Sequence, residues 1–118
     1  ISVIFMFENV IADIFKLNGV KGVYIADMDG NLVESESTKE DDEIFAALVV
    51  ELFKKSSDIM AKISNGDVNF LVVENSKDRV IITKASELIL GVFSESSVNY
   101  GLLKIEIKKA AEKIEALV

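Results

Sequence analysis

Asp27 and Asp29 are the residues whose type and spacing most invite chemistry. They stand two apart in Tyr24-Ile-Ala-Asp-Met-Asp-Gly-Asn-Leu32, directly after a hydrophobic run. Two carboxylates so close suit acid–base work or cation binding. The rest of the chain narrows what such chemistry can be. There is no His, so the commonest general base and the imidazole metal ligands are absent. There is no Cys, which excludes disulfides, thiolate nucleophiles and zinc–thiolate sites and is compatible with a reducing cytoplasm. Catalysis would have to come from carboxylates, Lys, Ser, Thr or Tyr. An EF-hand loop needs Gly at its sixth position and Glu at its twelfth. Counted from Asp27, the glycine comes fourth and position twelve is Thr38. A solvated tight turn is the simpler reading, since Asp and Asn tolerate left-handed backbone and Gly30 adopts it freely.

The same stretch resembles the first motif of haloacid-dehalogenase-type phosphatases. That resemblance implies Asp27 as nucleophile, Asp29 as general acid and magnesium between them. It departs at Asn31, where Thr is usual, and Gly66-Asp67 lacks the further acids of the downstream magnesium motif. A short return strand also follows at once, where that fold needs a larger parallel sheet. A magnesium-dependent phosphatase is thus a remote alternative.

The elements that must position these residues can be read from periodicity. Phe7, Val10, Ile11, Ile14 and Phe15 recur at helical spacing and predict a helix over 7–17, stopped by Asn18-Gly19. Val20 to Asp27 alternates as a strand, and Leu32 to Ser35 returns as a short one. Ser37-x-x-Glu40 or Thr38-x-x-Asp41 offers a capping box for the next helix, 41–63. Three strands follow at 67–74, 79–84 and 88–93, joined by hairpin-sized connections. A last helix runs from about Tyr100 to Leu117, capped from Ser97 or Asn99, with one ordinary apolar stripe. The order α-β-β-α-β-β-β-α predicts a five-stranded antiparallel sheet with helices on both faces, an α/β three-layer sandwich.

Helix 41–63 stands apart. Wound at about 100° per residue, it puts Glu51, Lys54, Lys55, Asp58 and Lys62 on one narrow polar stripe. Its apolar residues, from Phe45 and Ala46 to Ile63, sweep about 220°, whereas one core requires only about 100°. A second neighbour is expected, and in a chain of 118 residues that neighbour is another chain. The mean hydropathy of +0.34 fits a domain that hides apolar surface in a partner. The net charge of −7, with Arg79 the only arginine, argues against nucleic acid. No apolar run approaches the roughly 18 residues of a membrane span, so no membrane insertion is expected.

From Met6 onward the chain resembles the roadblock/LC7 family, a profilin-like architecture. The motif runs Val20-x-Gly22-Val-Tyr-Ile-x-Asp27-x-Asp29-Gly30-x-Leu32-Val33-x-Ser35. It continues in Glu43, Ala46 and Ala47, in Glu74, in Ile81 to Thr83 and Leu88, Leu90 and Val92, and in Val98-Asn99-Tyr100-Gly101-Leu102. The resemblance implies a single domain over 6–118. Residues 1–5 are then expected to be leader or vector-derived sequence. It also implies a homodimer or heterodimer in which second helices pack together and third strands pair across a two-fold axis. Such domains bind Ras-like small GTPases, as MglB-type regulators or scaffolds, or serve as dynein light chains.

The expectation is therefore a non-enzymatic, cytoplasmic homodimer that modulates a small GTPase and needs no cofactor or metal. The alternative is a light-chain-type adaptor without GTPase contact. Dimer contacts are expected at Ala46, Val49, Val50 and Phe53, on the surplus arc, and at Val68, Phe70 and Val72 of the third strand. The GTPase platform is expected at Glu51, Lys54, Lys55, Asp58 and Lys62, although the Glu51–Lys55 and Asp58–Lys62 spacings also suit plain helix support. Arg79 reads as a solvated or ion-paired edge residue, with an arginine finger as the bolder option.

Overall fold

One antiparallel sheet organises the chain, and its strands alternate side chains into two separate cores. The computed structural model describes residues 2–118. The elements are α1 (Val3–Phe15), β1 (Val20–Asp27), β2 (Leu32–Ser37), α2 (Asp42–Ile63), β3 (Phe70–Glu74), β4 (Asp78–Ala85), β5 (Leu88–Glu95) and α3 (Tyr100–Leu117). Strand order is β2-β1-β5-β4-β3, with every neighbouring pair antiparallel. Val23 and Ile25 of β1, Ile81 of β4 and Leu90 and Val92 of β5 meet α1 and α3 on one face. Ala26, Ile82 and Ile89 meet Ala46, Val49, Val50 and Phe53 of α2 on the other. Successive strand residues point to opposite faces, so the central strands β1 and β5, covered on both sides, are apolar at most positions. The α/β three-layer sandwich with a five-stranded antiparallel sheet is what the sequence pattern predicts.

Boundaries move where capping groups decide them. α1 starts four residues earlier than the periodicity suggests, because Ser2 Oγ accepts from the Phe5 N–H at 3.1 Å. Residues 3–5, expected as leader sequence, thus belong to that helix; residue 1 of that stretch lies outside the described residues. Neither expected capping box forms at α2. Asp41 is the N-cap without a side-chain bond, and Ser37 Oγ donates instead to Asp42 Oδ1 at 2.5 Å, joined by Ser35 Oγ to Oδ2 at 2.7 Å. This clasp extends β2 to Ser37 and moors the start of α2 to the edge strand. At α3, Asn99 Oδ1 accepts from the Leu102 N–H at 2.9 Å and fixes the cap there.

Candidate interaction surface

The carboxylate pair is spent on its own turn. Asp27 Oδ1 accepts from the N–H groups of Asp29 and Asn31, both at 2.9 Å, and Oδ2 accepts from Asn31 Nδ2 at 3.1 Å. Gly30, at φ +89°, lets the chain reverse, and its N–H donates to the Asp27 carbonyl. Donation from the Asn31 backbone, then from its side chain, lowers the Asp27 pKa below the ordinary aspartate value. Such a carboxylate is a weak base facing solvent, and the phosphatase alternative is not favoured. Among the described residues no three His, Cys, Asp or Glu side chains cluster to hold a metal. Tyr24 is buried under Phe45, ring centroids 4.3 Å apart, and burial raises its pKa. It packs as an apolar ring.

Arg79 is a staple and not a finger. Only 8% exposed, it donates through Nε to Glu74 Oε1 at 2.9 Å and through its terminal nitrogens to the carbonyls of Val98 (2.8 Å) and Ser96 (2.9 Å). Those bonds tie the β3–β4 hairpin to the connection before α3, so the guanidinium has no freedom to enter another protein.

The expected contact residues of α2 are placed differently from the sequence reading. Ala46, Val49, Val50 and Phe53 are buried against the chain's own sheet and cannot also form a helix–helix contact. The large apolar residues left exposed on α2 are Ile44, Leu48, Leu52, Ile59, Met60 and Ile63. Phe53 is the last buried residue of α2, and the helix continues from Lys54 to Ile63 beyond its own core. That overhang spans about 15 Å at 1.5 Å per residue. Its hydrophobic members are open, Ile59 at 57% and Ile63 at 75% exposure.

The polar stripe comes together as expected in one respect. Glu51, Lys54, Lys55, Asp58 and Lys62 are all exposed. Lys55 Nζ reaches Glu51 Oε1 at 3.2 Å, whereas no ion pair joins Asp58 and Lys62 among the described residues. Of the residues expected in a third strand over 67–74, Val68 lies before β3, which begins only at Phe70, and is half-buried beside the α2 core; Phe70 is half-buried beside the α1–α3 core, where Lys104 and Lys108 lie 5.3 and 5.8 Å from its ring centre. Val72 is exposed. Among the described residues β3 pairs only with β4, and its other edge is open. An open groove connects the base of the overhang, at Lys54, Ser57 and Asp58, to Val68 and to Phe70, the first residue of β3.

With that geometry in place, the sequence profile of the Roadblock/LC7 domain matches residues 6–94. The chain belongs to the Roadblock/LC7 domain family. Two uncharacterized proteins of Methanocaldococcus jannaschii are 30% and 29% identical to it over 113 residues, spanning 95% of this chain and 99% of each relative. Among solved structures, Myxococcus xanthus MglB superposes with a TM-score of 0.87 at 21% identity, over 95% of this chain and 94% of that one. The gliding protein MglB of Thermus thermophilus gives 0.89 at 12% identity, over 98% and 90%. A Roadblock/LC7 domain from Streptomyces avermitilis gives 0.85 at 17%, over 91% and 92%. At such identities the likeness is one of fold. The roadblock domain described here has no helix long and apolar enough to cross a membrane, among the described residues.

Proposed function

We propose that this roadblock domain works in the cytoplasm as one half of a two-fold pair that binds a Ras-like small GTPase and modulates its nucleotide cycle, without being an enzyme itself. One observation carries the reading: α2 outruns its core beside the open edge of β3. Both features are incomplete in a single chain, and both are completed by a neighbour packed α2 to α2 and β3 to β3. Pairing would satisfy the free backbone groups of the edge strand. It would also bury Ile59, Met60 and Ile63, at about 1.5–3 kcal/mol for each large apolar side chain. Several such residues per chain suffice to outweigh the entropy of association.

The dimer axis would then bring two stripes of Glu51, Lys54, Lys55, Asp58 and Lys62 onto one surface. A partner that binds this surface better in one nucleotide state has its equilibrium shifted by that difference in affinity. Regulation then runs through the GTPase's own groups, in keeping with the immobilised Arg79. The test has two parts. Light scattering should give twice the mass of the chain. Single-turnover GTP hydrolysis and nucleotide release by a Ras-like GTPase from the same cell should change when this protein is added. A dimer that leaves both rates untouched, and binds no GTPase in either nucleotide state, would sink the regulatory reading in favour of a light-chain-type adaptor.

A further inference from the structure

We infer that the C-terminal ten residues of α2, Lys54–Ile63, take their helical order from a second copy of this chain, so that the Lys54, Lys55, Asp58 and Lys62 surface is presented only by the assembled pair. The inference rests on the pairing proposed above and adds a coupling between pairing and order.

The argument begins with what holds the segment in one chain. None of its residues is buried; Ser56 and Ser57 alone are half-covered. Helices in proteins owe most of their stability to packing of an apolar face, and ten residues are fewer than the roughly 12–15 that a helix needs alone. Continuation from the docked part of α2 removes the nucleation cost but leaves propagation to the sequence. That sequence, KKSSDIMAKI, is a weak propagator: Ser56, Ser57 and Asp58 compete for backbone hydrogen bonds, and Ile59 and Ile63 lose rotamer freedom. The end is not closed by a glycine, since Ser64 is extended and only its N–H returns to the Met60 carbonyl. An isolated chain therefore frays from Ile63 back towards Phe53.

The occupant is identified by charge and by continuity. Lys54, Lys55 and Lys62 against Asp58 make the segment basic, whereas α2 is approached through Glu40 and Asp41 and begins with Asp42 and Glu43. A second α2 lying antiparallel sets the acidic start of one helix beside the basic end of the other, and opposes the helix dipoles favourably. The groove at the base of the segment reaches Phe70, the first residue of the open-edged β3, so the same second copy can meet both.

Amide hydrogen exchange of the full chain, followed by mass spectrometry across a dilution series, tests this, with light scattering on the same samples. The edge variant Val72→Asp, whose side chain is exposed and lies outside α2, supplies a monomer should dilution not separate the pair. In the monomer, amides 57–64 are expected to exchange at least about tenfold faster than in the dimer while 46–53 keep their protection. Ser57→Ala should slow exchange of the segment in the monomer and leave the dimer unchanged. Protection of 57–64 that stays the same as the dimer separates overturns the coupling and leaves the pairing intact. A chain that is monomeric at every concentration overturns the pairing itself, and the coupling with it.

Discussion

Val49 lies so close over Gly91 that a Cβ on the glycine would stand 2.9 Å from Val49 Cγ1 and 3.3 Å from Cγ2. The first half of α2 is pressed onto β5 at this point, which is why Val49 belongs to the protomer core. Gly91→Ala should lift the helix and destabilise the fold by about 1–3 kcal/mol, the usual cost of overpacking. Urea unfolding monitored by circular dichroism reads it. Val49→Ala in the same chain should restore part of the loss by making room.

Two substitutions on α2 separate the inner from the outer face. Val50→Glu puts a carboxylate into a core where Val50 is 2% exposed, and the protomer should unfold. Ile63→Glu alters a residue on the overhang and should leave the unfolding temperature of a dilute sample within a few degrees of the original. Its effect should appear in light scattering, as a shift from dimer to monomer. Retention of the dimer in Ile63→Glu together with a folded Val50→Glu would reverse the assignment of the two faces.

Arg79→Lys keeps the charge but cannot reach Glu74 and the carbonyls of Ser96 and Val98 together, because a lysine offers one donor centre where the guanidinium offers a planar fork. The expected loss is about 1–3 kcal/mol of stability from buried carbonyls left unpaired. The ion pair with the more exposed Glu74 contributes the smaller share, being screened by solvent. Nucleotide turnover by a bound GTPase should change no more than dimer stability does; a selective loss of turnover would restore the finger.

The Asp27 turn gives a pH signature. Its folded-state pKa lies below the ordinary aspartate value, chiefly through donation from the Asn31 N–H. A depressed carboxylate contributes stability above the unfolded-state pKa, and that contribution is lost as pH falls through the folded one. Urea midpoints measured in the acid range below the ordinary aspartate pKa should therefore fall more steeply for the original protein than for Asp27→Asn. Equal slopes would mean that the turn's hydrogen bonds to Asp27 do not favour its charged form.

Much of this architecture is legible in residue order alone. The strand runs are set off by turn residues, the second helix stops at Ser64-Asn65-Gly66, the first ends at Phe15, two residues short of the expected Leu17, and Asp27 to Asn31 turns as its residue types require. What periodicity could not do was choose which part of a wide apolar arc faces inward. Ala46 and Ile44 differ little as symbols of hydrophobicity, yet one is fully buried and the other 61% exposed. The tertiary structure decided that, because Gly91 leaves a hollow that only Val49's side of the helix can fill, and the Ser35 and Ser37 hydroxyls fix Asp42 and with it the helix rotation. Arg79 shows the same limit: a lone arginine at the start of a strand has no local partner in sequence, and only the fold brings Ser96 and Val98 to it. Local pattern sets which elements form; the side on which each must be covered depends on neighbours distant in the chain.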